Sequence, residues 1–104
     1  SVIEGIDEEN YIDSLAAWNE HLHKTLSFPF AAKIDEFEEE YPFPRGEEVI
    51  VTGLDLVDDL YGIIADITHR GKHLNFPLCD LAAIDKPSPN YEAVKDYRVW
   101  FANR

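Results

Sequence analysis

Apolar residues recur along the first part of the chain at helical spacing. Tyr11, Leu15, Trp18, Leu22 and Leu26 are separated by four, three, four and four positions, which forms one stripe on a 3.6-residue helix. Ile12 widens the stripe. Asp7, Glu8, Glu9 and Asn10 put negative charge and a cap candidate at the start, where the helix dipole favours them. Ser27-Phe28-Pro29 ends it, because the residue before proline avoids the α region. The period then changes to two. Phe30–Phe37 reads as a strand, and Glu48–Leu54, with Val49-Ile50-Val51-Thr52, as a second. Gly53–Gly62 reads as a turn into a third strand, Tyr61–Thr68, with Ile63, Ala65 and Ile67 on one face and Ile64 and Asp66 on the other. A tight turn at His69-Arg70-Gly71-Lys72 leads to Lys72–Leu78, and Leu81–Ile84 follows Pro77. Ser88 as N-cap and Pro89 at the first helical position open a closing helix with the stripe Tyr91, Val94, Tyr97 and Phe101.

This order predicts an α+β fold in one domain spanning residues 1–104: a long N-terminal helix, a small, strongly bent antiparallel sheet or partial barrel of SH3-like size, and a C-terminal helix. At 104 residues and 45% apolar, the chain can build one modest core. No apolar run approaches the roughly 20 residues that cross a bilayer. Ser1–Glu9 is acidic and has neither the basic nor the apolar region of a secretion signal, so a cytoplasmic location is expected.

Charge narrows the partners. Nine Lys and Arg stand against 21 Asp and Glu, a formal net charge of −12. Nucleic acid and anionic membranes are repelled by such a surface, whereas cations and basic proteins are attracted. A monomer is expected. Three carboxylates, Asp55, Asp58 and Asp59, fall within five residues of the Gly53–Gly62 stretch. One Asp can form an Asx-turn, but three at one tip repel unless a cation or donors lie among them. Hard cations such as Ca²⁺ take six to eight oxygens from carboxylates, carbonyls and water. Asp35, Glu36 and Glu38, in the run that continues through Glu39 and Glu40, and also Asp80, are further candidate ligands. The run at Asp35–Glu40 is expected to complete the hairpin site. A helix–loop–helix calcium loop would want Asp or Asn at Val57 and Gly at Leu60, so any site has another geometry.

Other chemistries fare worse. His69 and His73 flank the tight turn, but two imidazoles without a Cys cluster fall short of a structural zinc set. The single Cys79 precludes an internal disulfide, and the adjacent Asp80 would raise its pKa. No phosphate-binding Gly loop or nucleophile elbow is present, so the chain reads as a non-enzyme. Tyr41 and Phe43, in a proline-rich loop, are the better candidates for partner contact, because the aromatics of the helical stripes read as core.

Several stretches together resemble a known family. Phe28-Pro29-Phe30, Asp58-Asp59-Leu60-Tyr61-Gly62-Ile63, Phe76-Pro77-Leu78-Cys79-Asp80-Leu81, Ser88-Pro89-Asn90 and Asp96–Arg104 occur in the order found in the cyanobacterial calcium-binding protein CcbP family. The resemblance runs from about Tyr11 to the C-terminus. It implies a small acidic cytoplasmic protein that binds Ca²⁺ at carboxylate sites, as a buffer or sensor. Asp58, Asp59 and Asp80 match family motifs directly, whereas Ala31 and Lys33 stand where the family tends to be acidic. The same aspartates also read as fold determinants, at a turn or facing Arg104. The competing reading is an acidic module that docks a basic protein without metal.

Overall fold

The computed structural model describes residues 8–36 and 44–104. Helix α1 spans Glu8–Thr25 and strand β1 Phe30–Ile34. Strands β2 (Glu48–Asp58), β3 (Gly62–His69) and β4 (Lys72–Pro77) follow. A single 3-10 turn at Leu78–Asp80, the short strand β5 (Leu81–Ala83) and helix α2 (Pro89–Ala102) complete the chain. The expected α+β architecture is present. Among the described residues five strands form one antiparallel sheet in the order β4-β3-β2-β1-β5, with β4 and β5 as its edges, an open sheet. Within β3 the alternation expected from sequence holds: Ile63, Ala65 and Ile67 are buried, whereas Ile64 and Asp66 face outward.

Both helices lie on the buried face of the sheet. Leu15 and Leu22 of α1, Val94, Tyr97 and Phe101 of α2, and Val49, Val51, Ile63 and Ile67 of the sheet share one core. A seam of rings joins the helices, with Tyr11 stacked on Trp100 at 6.0 Å and Trp18 edge-on to Tyr97 at 5.7 Å. The other end of the helix pair is tied by Asn90, which sequence reasoning passed over. Its side chain accepts from Ser27 N and donates to Ser27 O, both at 2.9 Å, so this buried amide is satisfied on both sides. Ser88 Oγ caps α2 by accepting from Asn90 N at 3.0 Å, with Pro89 next in the chain, as its sequence predicts.

Two of the boundaries that differ from expectation shape the acidic regions. β1 stops at Ile34, and the carboxylate of the next residue, Asp35, engages Arg98 and Arg45. The Gly53–Gly62 stretch is mostly strand rather than turn. Register shifts at Val51/Gly53 and Leu54/Val57 let β2 continue to Asp58, leaving only Asp59–Tyr61 to turn the chain. Gly62 closes this turn with φ of +75°. A Cβ there would collide with the Tyr97 hydroxyl and lie 2.6 Å from the Phe101 ring. The Tyr97 hydroxyl accepts from Ile63 N at 2.9 Å, so the hairpin rests directly on α2. The β3–β4 turn has positive φ at both Arg70 (52°) and Gly71 (81°), the requirement of a tight two-residue hairpin.

Candidate functional site

The register divides the candidate ligands into two groups. β1 pairs with β2 from Phe30↔Val51 to Lys33↔Glu48, so residues after Ile34 leave beside the start of β2. Asp58 stands at the other end of that strand. The ten steps between Glu48 and Asp58, at ~3.3 Å each, put the two ends roughly 30 Å apart. Asp35 and Glu36 therefore do not complete a site with Asp55, Asp58 and Asp59, contrary to expectation. Glu38, with Glu39 and Glu40, lies outside the described residues, as do Tyr41 and Phe43.

The first group gathers at the base of β2. The Asp35 N–H donates to Asp80 O at 2.8 Å, bringing those two expected ligands together. The Asp35 carboxylate accepts from Arg98 Nη2 at 2.9 Å and lies 3.5 Å from Arg45 Nη2. Partial burial works to raise the Asp35 pKa, but the hydrogen bond and charge of Arg98, reinforced by Arg45, outweigh it and leave the carboxyl below its ordinary value. Arg98 Nε also donates to Cys79 O at 3.0 Å, which fixes the guanidinium between β1 and the 3-10 turn. Glu36 and Asp80 line an open cavity of about 530 Å³ whose wall also holds Lys95 and Arg98. Cys79 faces the same cavity. Burial, with the neighbouring Asp80 charge, pushes its thiol up to about 12, so it stays protonated.

The second group lies along the outer face of the hairpin. Asn75 Nδ2 donates to Asp66 Oδ1 at 2.6 Å and to Asp55 Oδ2 at 3.2 Å, so one amide links two carboxylates from neighbouring strands. Thr52 and His73 stand beside them around a shallow cavity of about 290 Å³. Thr52 Oγ1 donates to Asp66 O at 3.2 Å. Asp66 and Asn75 were not among the expected ligands. The signal was available in alternation alone: Asp66 faces outward on β3, and Asn75 is its register partner on β4.

The tip itself is held by its own aspartate. Asp58 Oδ1 accepts from Leu60 N at 2.7 Å and from Tyr61 N at 2.8 Å, an Asx-turn of the kind that can explain a lone turn aspartate. Asp59 contributes its carbonyl, which accepts from Tyr11 Oη at 3.0 Å and ties the tip to α1. The histidines do not meet. Thr68 faces His73 and His69 faces Lys72 across the β3–β4 pair, so a period of two puts His69 and His73 on opposite sides. His69 instead contacts Glu47 Oε2 at 2.6 Å, and His73 Nδ1 contacts Thr68 Oγ1 at 3.3 Å.

Among the described residues no three His, Cys, Asp or Glu side chains converge as a ready metal cage. The Asp55–Asp66–Asn75 cluster is nevertheless built from oxygen-bearing groups, the chemistry that hard cations take, and water would have to supply much of the shell.

A sheet covered on one face by two helices carries carboxylates near both ends of its longest strand, oxygen groups of the kind hard cations take. The family model described as "Calcium binding", of the CcbP type, matches residues 3–101, and the chain belongs to that family. Among solved structures it is similar to Anabaena CcbP, with a TM-score of 0.70 and 26% identity over 93% of this chain and 78% of that one. A structure described as a calcium-binding protein in its calcium-binding form shares the fold, with a TM-score of 0.70 and 24% identity over 97% of this chain and 82% of that one. No curated protein matches the chain.

Proposed function

We propose that this protein binds Ca²⁺ through surface carboxylates and serves in the cytoplasm as a monomeric buffer or sensor, without catalytic activity. The observation that carries the reading is membership of the calcium-binding family over residues 3–101. The net charge of −12 adds long-range attraction for divalent cations. Asp55 and Asp66 are the proposed principal ligands, because their carboxylates meet at one amide on adjacent strands without an arginine in the cluster. Glu36 and Asp80 are the weaker pair, because a cation entering their cavity meets Lys95 and Arg98 in its wall. The mode is not helix–loop–helix: the aspartates are carried by a bulged strand pair.

The thermodynamic role of the ion is relief of repulsion. A cation shared by Asp55 and Asp66 lowers the free energy of the folded state only, so loading stabilises the fold by about 2.7 kcal/mol at a hundredfold excess over Kd.

Calorimetric titration of chelator-treated protein with Ca²⁺, with Mg²⁺ for comparison, tests the proposal. Binding heat with a rise in melting temperature is expected. No heat and no melting shift at millimolar Ca²⁺ would rule calcium binding out, whereas intact binding in Asp55→Asn/Asp66→Asn would move the site elsewhere.

A further inference from the structure

The same hairpin carries a second feature that calcium binding does not use. Leu56, Leu60 and Tyr61 are 60%, 65% and 54% exposed, and Val57 beside them is also exposed. Four large apolar side chains within six positions of one turn cost solvation with no return in the core. The tip is not loose. Asp58 fixes it from within, Tyr11 ties it to α1, and Gly62 seats it on Tyr97 and Phe101. A rigid apolar projection has its ordering cost met before any partner arrives.

β1 accompanies β2 only from Glu48 to Val51, so from Thr52 to Asp58 one edge of β2 has no partner among the described strands. An extended segment is the shape that an open strand edge takes. Charge selects its composition. Asp55, Asp58 and Asp59 are interspersed with the apolar residues, and no Lys or Arg occurs between Arg45 and Arg70. A second copy of the chain would bring like charge to like charge at a net −12 each, and an anionic membrane would be repelled in the same way.

We infer that the β2–β3 hairpin, from Thr52 to Tyr61, is a docking surface for an extended basic segment of another protein in which apolar residues alternate with Lys or Arg. The apolar side chains would lie against Leu56, Leu60 and Tyr61, and the cations against Asp58 and Asp59, while Asp55 is turned across β3 to Asn75. The docking needs no metal.

The test uses the full chain in chelator and two labelled synthetic peptides, one alternating valine with lysine and one alternating valine with glutamate. Fluorescence anisotropy measures binding, and amide chemical shifts locate it. The lysine peptide is expected to bind, to perturb residues 52–61, and to lose at least about tenfold in affinity to Leu56→Ser/Tyr61→Ser. Because both positions are exposed, unchanged circular dichroism and melting should accompany that loss. Equal binding of the glutamate peptide would overturn the charge argument. Shifts spread away from residues 52–61 would reduce the effect to overall charge. Self-association of the chain would assign the surface to a second copy. Shifts of residues 1–7 together with residues 52–61 in the full chain as the lysine peptide is added would assign the surface to the protein's own first residues. Failure of both peptides to bind would end the proposal.

Discussion

At the base of β2, Asp35 is held by Arg98 at 2.9 Å with Arg45 behind it; at the outer end, Asp55 and Asp66 share the Asn75 amide. Both regions come from acid-rich sequence, and neither is distinguished by its number of carboxylates. What separates them is the charge already supplied by the fold. Arg98 comes from α2, more than sixty residues after Asp35 in the chain, and it neutralises a carboxylate that composition alone would count as available for a cation. The outer end receives amide hydrogens, which satisfy oxygen lone pairs and leave the net charge in place. Its charge is therefore the part still open to an ion.

The largest expected effect comes from what lies beneath the hairpin. Gly62→Ala forces a side chain onto positive φ and into Tyr97 and Phe101, and a loss of about 2–4 kcal/mol is expected in urea unfolding. If the loss is below about 0.5 kcal/mol, the outer end is held by its polar contacts and not by the core.

Next in size is Arg98→Ala, which leaves the half-buried Asp35 carboxylate without its main partner and Cys79 O without a donor. A loss of about 2 kcal/mol is expected. Asp55→Asn/Asp66→Asn should do the opposite. Removing like charges from one cluster should keep stability within about 0.5 kcal/mol of the parent or raise it, while Ca²⁺ affinity falls at least about tenfold. If Arg98→Ala were neutral and the aspartate pair destabilising, the roles of the two ends would be reversed.

Acid sensitivity separates the same ends by a smaller amount. The Asp35 pKa is lowered in the folded protein. Its stabilisation is thus present in full above about pH 4, the ordinary carboxylate value of the unfolded chain, and is lost as pH falls through the lowered folded value. Asp35→Asn should be less stable than the parent at neutral pH and converge on it in acid, as followed by unfolding midpoints between pH 7 and pH 2. A constant gap across that range would show that the ion pair is not the source.

Much of this architecture could be read before the fold was known. Period-four and period-two patterns located α1, α2 and the faces of β3, because burial on one side imposes them directly. The Ser88-Pro89 start of α2 was equally legible, since its chemistry is local. The acidic regions were harder. Asp35 looks like a ligand in sequence because Arg98 is distant in the chain, and Asp66 looks like an ordinary outward residue because Asn75 and Asp55 reach it only through strand register. The two bulges that carry β2 past Gly53 have no signature beyond a glycine followed by mixed polarity, so the stretch reads as one long turn.

The finest distinction concerns Asp58, which belongs to the outer end by position and to the scaffold by its contacts. Its Oδ1 already accepts from Leu60 N and Tyr61 N. Asparagine keeps a carbonyl oxygen able to accept both bonds while removing the charge; alanine removes both. Asp58→Asn should therefore stay within about 0.5 kcal/mol of the parent in thermal unfolding, and Asp58→Ala should lose about 1 kcal/mol. Calcium affinity should shift by less than about twofold in Asp58→Asn, because a screened charge outside the Asp55–Asp66 pair contributes little. A tenfold loss in that variant with stability unchanged would make Asp58 a direct ligand through its other oxygen. The turn and the ion would then draw on one carboxylate, and the outer end would be a site whose geometry the Asx-turn itself sets.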